Sequence, residues 1–313
     1  MENFENLTKE MPVFYRQHDD VVHGGKVDTL TEAGLATYFY RRKREEPKVF
    51  RNSDLLIDFN MNGGPSFSET MRGNLRTVLS ENCEDRRFYI VHRDGHTVSL
   101  IRENNTFLLL DSYNANGTPD HDHFPLLTLI REQQPSAEIY TLRDKIQNDY
   151  NNCRIFAVEN AVAIERYCQQ NNCGLSQVIQ EAQLVPALFN SDNEKEKFYN
   201  NNNITSLGTP LPIVPHIQSM VKIRTVIGSV EETELITERL NGHIRNRRTN
   251  EVSNFNDNEA RNDLISDISK GNSVRIRQHN HLIKDSLPDG VSQRTFVERL
   301  RTLEDVRNNN KSI

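Results

Sequence analysis

The stretch that decides the fold is CRIFAVENAVAIERYCQQ, residues 153–170. Its apolar residues fall on nearly every side of a helix instead of along one stripe. A helix that is apolar most of the way round belongs in the interior of a domain. Asn151 or Asn152 stands directly before this run and is suited to cap its first turn. The sequence therefore predicts a buried central helix that begins at Cys153.

Upstream of this helix the apolar residues occur in the short runs that are typical of β-strands. The predicted strands are residues 88–91, 97–101, 106–110 and 138–142, and the predicted flanking helices are residues 70–82 and 126–131. Turn-forming residues connect the first three strands, which predicts an antiparallel meander. We expect an α+β fold in which the central helix packs on a mixed, mostly antiparallel sheet.

The remainder of the chain is polar. Its 313 residues are 35% hydrophobic and 26% charged, with a formal net charge of -6. This length accommodates one large domain or one domain with an appendage. The acidity argues against a general affinity for nucleic acid, which requires a positive surface. We predict an N-terminal accessory segment (1–69), a core (70–230) and a helical, regulatory or partly disordered C-terminal region (231–313), which is charged and poor in aromatic residues.

The cysteine pattern and the hydropathy exclude several classes. Cys83, Cys153, Cys168 and Cys173 show no paired C-x-x-C spacing, so we expect no metal site, and reduced thiols instead of a disulfide scaffold. No apolar run approaches the roughly 18 residues of a membrane span. The first ten residues lack the basic start and apolar stretch of a signal peptide. We therefore expect the protein to work in a reducing, aqueous compartment.

Four polar residues are placed where they can act together. Cys153 begins the buried helix, where free amides and the helix dipole favour a thiolate. His96 opens one predicted strand and Asp111 ends the next, so neighbouring antiparallel strands can bring the carboxylate to the imidazole and orient it. Gln147 precedes Cys153 by six residues, and its amide can donate a hydrogen bond to a developing oxyanion. We predict that these residues are nucleophile, base, orienting acid and oxyanion donor.

Each of the four also has an ordinary structural explanation. A cysteine at a helix start is often a small buried hydrophobe, and a histidine that opens a strand is often a surface or core residue without a chemical role. An aspartate commonly ends an apolar run. The joint order and context favour the catalytic interpretation at Cys153, whereas the other three cysteines lack such neighbours and are predicted to be structural.

Residues 147–157, QNDYNNCRIFA, resemble the nucleophile motif of the CE clan of cysteine enzymes, which includes ubiquitin-like proteases, adenovirus-type proteases and the YopJ family of effector acetyltransferases. The order His, acidic residue, Gln, Cys matches that clan. Proteases of the clan usually have Gly after the cysteine, but here Arg154 follows, with Ile155 and Phe156 next as in YopJ-like members. Residues 211–219, LPIVPHIQS, are similar to a second YopJ motif, with Pro215 in place of its usual Lys.

This resemblance covers roughly residues 70–230 and implies a papain-like CE-clan core. It implies ping-pong transfer of acetyl from acetyl-CoA, through a thioester on Cys153, to Ser, Thr or Lys of a host protein such as a signalling kinase. It also implies a virulence effector that a bacterium secretes, that acts in the host cytoplasm, and that inositol hexakisphosphate activates. Basic side chains suit this polyanion. The candidate ligands are Lys222, Arg224, Arg275, Arg277, His279, His281 and Lys284.

Two other functions stay open from the sequence. A CE-clan protease that removes ubiquitin or a ubiquitin-like modifier uses the same four residues. Arg154 and residues 211–219 favour acetyl transfer, as does the absence of Trp, which often walls the slot of such proteases. The third possibility is a non-catalytic adaptor that keeps the fold. Replacing Cys153 with Ala would then leave every phenotype unchanged.

Overall fold

The computed structural model describes residues 15–19, 26–59, 67–80, 84–93, 95–113, 124–147, 153–182, 184, 193–216 and 293–309. The strands are β1 (Tyr15–Asp19), β2 (Lys26–Leu30), β3 (Ser53–Ile57), β4 (Arg87–Arg93), β5 (His96–Glu103), β6 (Thr106–Leu110), β7 (Glu138–Leu142) and β8 (Ile204–Leu207). The helices are α1 (Glu32–Glu45), α2 (Glu69–Ser80), α3 (Phe124–Gln133), α4 (Cys153–Asn171), α5 (Leu175–Glu181), α6 (Asn193–Asn201), a 3-10 turn (Leu211–His216) and α7 (Gln293–Asn309).

Six of these strands form one mixed sheet in the order β3–β4–β5–β6–β7–β8. The predicted meander is confirmed, because β4, β5 and β6 pair antiparallel. The α+β class is confirmed as well. The expectation of a mostly antiparallel sheet is wrong, since β3–β4, β6–β7 and β7–β8 are all parallel. Parallel neighbours need long crossovers, and the helices between these strands supply them. β1 and β2 form a separate hairpin.

The sheet is buried on both faces, and β6 shows how one strand contributes to two cores. Phe107 and Leu109 belong to the core beneath α2 and α3, whereas Leu108 and Leu110 belong to the core beneath α1 and α4. Because side chains alternate along a strand, a continuous apolar run indicates burial on both faces. The described residues are thus arranged in three layers, with the sheet in the middle.

The central helix α4 begins at Cys153, as predicted, and fourteen of its nineteen residues are buried. It lies along β5 and against the 3-10 turn of Leu211–His216. Asn151 and Asn152, the candidate caps, lie outside the described residues. In the described part of the chain, no helix combines the length and the apolar character that crossing a membrane requires.

Elements from both ends of the chain pack on this core. β3 is an edge strand of the sheet, and α1 lies against α4, where the Tyr38 hydroxyl donates to Glu159 Oε1 at 2.5 Å. α7 packs on α1 and buries Val297 and Leu300 in the same core. The division of the chain at residues 70 and 230 stays a prediction.

Candidate active site

The candidate site lies where the first turn of α4 meets the ends of β5 and β6. Cys153 is the first residue of α4 and only 3% of its surface is exposed. His96 opens β5 and Asp111 directly follows β6. The antiparallel register pairs Ser99 with Leu110. Continuing that register places Asp111 diagonally across from His96, which is within reach of two polar side chains.

His96 and Asp111 are in contact, as the strand order predicts. His96 Nε2 lies 2.9 Å from Asp111 Oδ1. The same oxygen accepts a 2.9 Å hydrogen bond from the backbone N–H of Tyr113, and Asp111 is only 5% exposed. A carboxylate held in this way fixes the Nε2 proton of the imidazole. Nδ1 is then the ring nitrogen that is left to interact with the Cys153 thiol, and this interaction lowers the thiol pKa. The Cys153 sulfur also lies 3.7 Å from the carbonyl oxygen of Gly95.

The thiol and the imidazole shift each other's pKa in opposite directions. Burial opposes the thiolate of Cys153, but the hydrogen bond and charge of His96, the charge of Arg154 and the Thr97 backbone N–H outweigh it and lower the thiol pKa. Burial likewise opposes the imidazolium of His96, but the Asp111 carboxylate and then Cys153 raise the histidine pKa well above its usual value. The surroundings therefore favour the thiolate–imidazolium pair over the neutral thiol and imidazole.

Gln147 is fully buried and is joined to the residue that follows Asp111. The Ser112 hydroxyl donates to Gln147 Oε1 at 2.7 Å, and the Gln147 backbone N–H donates to the Ser112 carbonyl at 2.8 Å. Because Oε1 faces Ser112, the side-chain NH₂ group of Gln147 points away from Ser112. The NH₂ group is the hydrogen-bond donor that an oxyanion requires. Residues 148–152 lie outside the described residues. The oxyanion role of Gln147 stays a prediction.

A buried polar cluster next to Cys153 has no counterpart in the sequence-based prediction. Arg154 Nη2 donates to Glu32 Oε1 at 3.1 Å. His92 Nε2 lies 3.2 Å from the same oxygen, and His92 Nδ1 lies 2.8 Å from Thr97 Oγ1. Only Arg154 carried a sequence signal, as the residue that stands where clan proteases have Gly. Glu32 is 122 positions away along the chain, and no local pattern connects the two.

The charges in this cluster follow from burial and from Arg154. Burial and then the Arg154 charge lower the pKa of His92 to about 4, so its imidazole is neutral at pH 7. Burial alone would raise the pKa of Glu32, but the His92 hydrogen bond and the charges of His92 and Arg154 lower it to about 2. A neutral His92 can donate from Nε2 to Glu32 and accept the Thr97 hydroxyl at Nδ1. The contacts with Glu32 and Thr97 are then hydrogen bonds. The third contact of the ring, Nε2 with Arg154 Nη2 at 3.4 Å, then brings two N–H donors together and is not a hydrogen bond.

The second motif of the sequence, residues 211–219, begins in the 3-10 turn that packs on α4. Within it His216 is buried, and its Nδ1 lies 2.7 Å from Asn160 Oδ1 on α4. Asn160 is two helical turns from Cys153 and completely buried. The motif therefore supports the central helix through a side chain. Residues 217–219, its last three, lie outside the described residues.

The predicted polyphosphate ligands lie outside the described residues. They are Lys222, Arg224, Arg275, Arg277, His279, His281 and Lys284. Cys83 also lies outside, whereas Cys168 is buried in the core around α4. Among the described residues no group of three or more His, Cys, Asp or Glu side chains is arranged to hold a metal ion.

A buried cysteine at a helix start, whose thiol pKa is lowered by a histidine that an aspartate orients, has the arrangement of a cysteine-nucleophile triad. The family model described as YopJ Serine/Threonine acetyltransferase matches residues 60–277, more than two thirds of the 313 residues. The chain belongs to this family, which confirms the resemblance read from the motifs. Membership implies an enzyme of the acyltransferase class.

Two solved structures are similar to this chain. One is HopZ1a in complex with IP6 and CoA, at 12% identity and a TM-score of 0.43, over 90% of this chain and 86% of that chain. The other is AvrA delL154 with IP6 and CoA, at 10% identity and a TM-score of 0.40, over 76% of this chain and 87% of that chain. No curated protein sequence matches the chain.

Proposed function

We propose that this protein is a YopJ-like effector acetyltransferase that moves acetyl from acetyl-CoA, through a thioester on Cys153, to a serine, threonine or lysine of a host protein. Membership of the acetyltransferase family supports the reaction class. The observation that carries the assignment of residues is the 2.9 Å contact of His96 with Asp111, next to a Cys153 thiol whose pKa His96 lowers. The proposed place of action is the host cytoplasm, after secretion by a bacterium.

In the first half-reaction the Cys153 thiolate attacks the thioester carbonyl of acetyl-CoA. The bond between the acetyl carbon and the CoA sulfur breaks, and the His96 imidazolium gives its proton to the departing CoA thiolate. Acetyl-Cys153, neutral His96 and CoA result. The backbone N–H of Cys153 and the amide of Gln147 are the proposed donors to the oxyanion of the intermediate. The lowered thiol pKa and the raised imidazole pKa both favour the protonation states that this step requires.

In the second half-reaction the acceptor side chain takes the place of CoA. Neutral His96 removes a proton from the acceptor hydroxyl or amine as this attacks the acetyl carbonyl. The bond to the Cys153 sulfur then breaks, which restores the thiolate and the imidazolium. Asp111 stabilises the imidazolium through the 2.9 Å contact at Nε2 in both halves of the cycle.

The proposed activator is inositol hexakisphosphate. Its proposed ligands are Lys222, Arg224, Arg275, Arg277, His279, His281 and Lys284, because guanidinium, ammonium and imidazolium groups each neutralise a phosphate at close range. This part of the proposal rests on the family and on residue chemistry.

Labelling with radioactive acetyl-CoA tests the proposal, with and without inositol hexakisphosphate. The full-length protein should acquire label, the label should increase with the polyphosphate, and Cys153→Ala should acquire none. Cys173→Ala is the matched control, because it removes a cysteine that lies away from His96 and should keep the label. If Cys153→Ala is labelled as strongly as the parent protein, the proposed nucleophile is wrong. If no label appears and ubiquitin with a C-terminal electrophile captures Cys153, the protease function replaces acetyl transfer.

A further inference from the structure

Arg154, the residue directly after the proposed nucleophile, is an unusual cation because it is buried. Only 5% of its surface is exposed. A buried guanidinium requires a partner, since the loss of its hydration is costly. Its partner is Glu32 Oε1 at 3.1 Å, a carboxylate whose side chain is 19% exposed. The pair therefore joins the first turn of α4 to the first turn of α1.

Glu32 is itself held firmly. The side chain of Thr31 caps α1 by accepting a 3.1 Å hydrogen bond from the Gly34 backbone N–H, which fixes the helix start that carries Glu32. Farther along α1, Arg42 Nε donates to Glu159 Oε1 on α4 at 3.0 Å. The Glu32–Arg154 pair and the contacts of Tyr38 and Arg42 with Glu159 thus join α1 to α4. Arg154 is held by a helix that is itself fixed to α4 at a second place.

His92 forms a second connection between Glu32 and the surroundings of the Cys153 sulfur. Its Nε2 lies 3.2 Å from Glu32 Oε1, and its Nδ1 lies 2.8 Å from Thr97 Oγ1. The Thr97 backbone is one of the groups that lower the thiol pKa of Cys153. Glu32 therefore contacts both Arg154 and His92, and His92 in turn contacts Thr97.

We propose that Arg154 is a positioning residue of the candidate active site: a buried cation, held by Glu32 of α1, whose charge stabilises the Cys153 thiolate. This inference rests on the proposed role of Cys153 as the nucleophile. It gives a function to the residue that replaces the glycine of clan proteases. It also makes α1, which precedes the predicted core, part of the apparatus that activates the thiol.

The direction of the effect follows from the charges that face the sulfur. In the described part of the chain these groups are His96 on β5, Asp111 behind it, Arg154 on α4, His92 on β4 and Glu32 on α1. Imidazolium and guanidinium both favour the thiolate, whereas Asp111 acts on the imidazole and the Glu32 carboxylate contacts the guanidinium. Removing the Arg154 charge therefore leaves His96 as the only side-chain cation of this set that favours the thiolate.

The test is the pH dependence of the alkylation of Cys153 by iodoacetamide in the full-length protein, read on the Cys153 peptide by mass spectrometry. Arg154→Gln should move the inflection to higher pH and slow alkylation several-fold on the acidic side. Arg154→Lys keeps a cation and should restore most of the parent profile. If Arg154 only fills space, the alkylation profile of Arg154→Gln will have its inflection at the same pH as the parent protein. That result would overturn the proposal.

Two further variants serve as controls for an effect of Arg154→Gln on folding. Glu32→Gln leaves the guanidinium without its carboxylate and should lower the melting temperature, and adding Arg154→Gln to it should recover part of that loss. If Arg154→Gln alone does not fold, this double variant carries the alkylation measurement, again with a higher inflection expected. An unchanged inflection in the folded double variant contradicts the proposal. Because alkylation does not use acetyl-CoA, this result and the failure of acetyl transfer are separate outcomes.

Discussion

Replacing Asp111 with asparagine tests the contact that organises the candidate site. The amide has nearly the shape of the carboxylate, so its oxygen can still accept the Tyr113 N–H while the negative charge at His96 Nε2 is lost. A hydrogen bond to a charged group contributes about 1.5–3 kcal/mol. Because about 1.4 kcal/mol is a tenfold change in rate, we expect the acetylation of Cys153 to slow by about 10- to 150-fold.

The assay for this prediction is the single-turnover acetylation of Cys153 by acetyl-CoA, followed by mass spectrometry. The substitution should also lower the pKa of His96, because Asp111 is the main group that raises it. The pH at which the imidazolium of the thiolate–imidazolium pair loses its proton should therefore be lower in Asp111→Asn. Asp144→Asn is the matched control, since Asp144 is equally buried and accepts two 2.9 Å hydrogen bonds from Thr209. A parent-like rate and pH profile in Asp111→Asn refutes the orienting role.

Three further predictions concern the surroundings of the site. Glu159→Ala removes the carboxylate on α4 that accepts the Tyr38 hydroxyl and Arg42 Nε, while Arg42 keeps its contact with Glu46. It should lower the free energy of unfolding by about 2 kcal/mol in urea titration, and a change near zero would mean that these contacts are dispensable. Ser112→Ala removes the donor that orients Gln147 and should slow acetylation several-fold with a small change in melting temperature, whereas an unaltered rate would remove Gln147 from the oxyanion site. Because the pKa of His92 is about 4 when folded, below its ordinary value of 6.5, unfolded chains bind more protons in this interval and stability should fall as pH decreases through it. This decrease should be smaller in His92→Gln, and equal slopes in both proteins would contradict the lowered pKa.

The sequence predicted those parts of the fold that depend on local patterns. Residues 106–110 and 138–142 are strands with the predicted bounds, because an apolar run between turn-forming residues has few alternatives. The contact of His96 with Asp111 was predictable for a related reason. Short connectors fix the register of a meander, and register decides which strand ends lie together.

Features that depend on distant pairing could not be predicted. Ser53–Ile57 is a five-residue strand in a polar context, and only its parallel pairing with β4 makes it part of the sheet. Short turns in the sequence indicate only the antiparallel pairs of the meander, which is why the sequence predicts a mostly antiparallel sheet. The parallel pairs join strands that helices separate, and no local pattern indicates them. Arg42 belongs to the basic run RRKR, residues 41–44. Such a run is usually a solvated helix face, yet the Arg42 side chain is only 11% exposed beside Glu159. Burial of this kind is set by tertiary contacts between segments more than a hundred residues apart.

Detection of an acetyl group on the Cys153 sulfur tests the central claim most directly. The full-length protein, mixed with acetyl-CoA and quenched in acid, should yield a Cys153 peptide that is heavier by one acetyl group. Brief treatment with neutral hydroxylamine should remove the group, because it cleaves thioesters and leaves amides intact. An acetyl group that forms equally in Cys153→Ala, or a Cys153 peptide that stays unmodified while acetyl transfer proceeds, would contradict a thioester on Cys153.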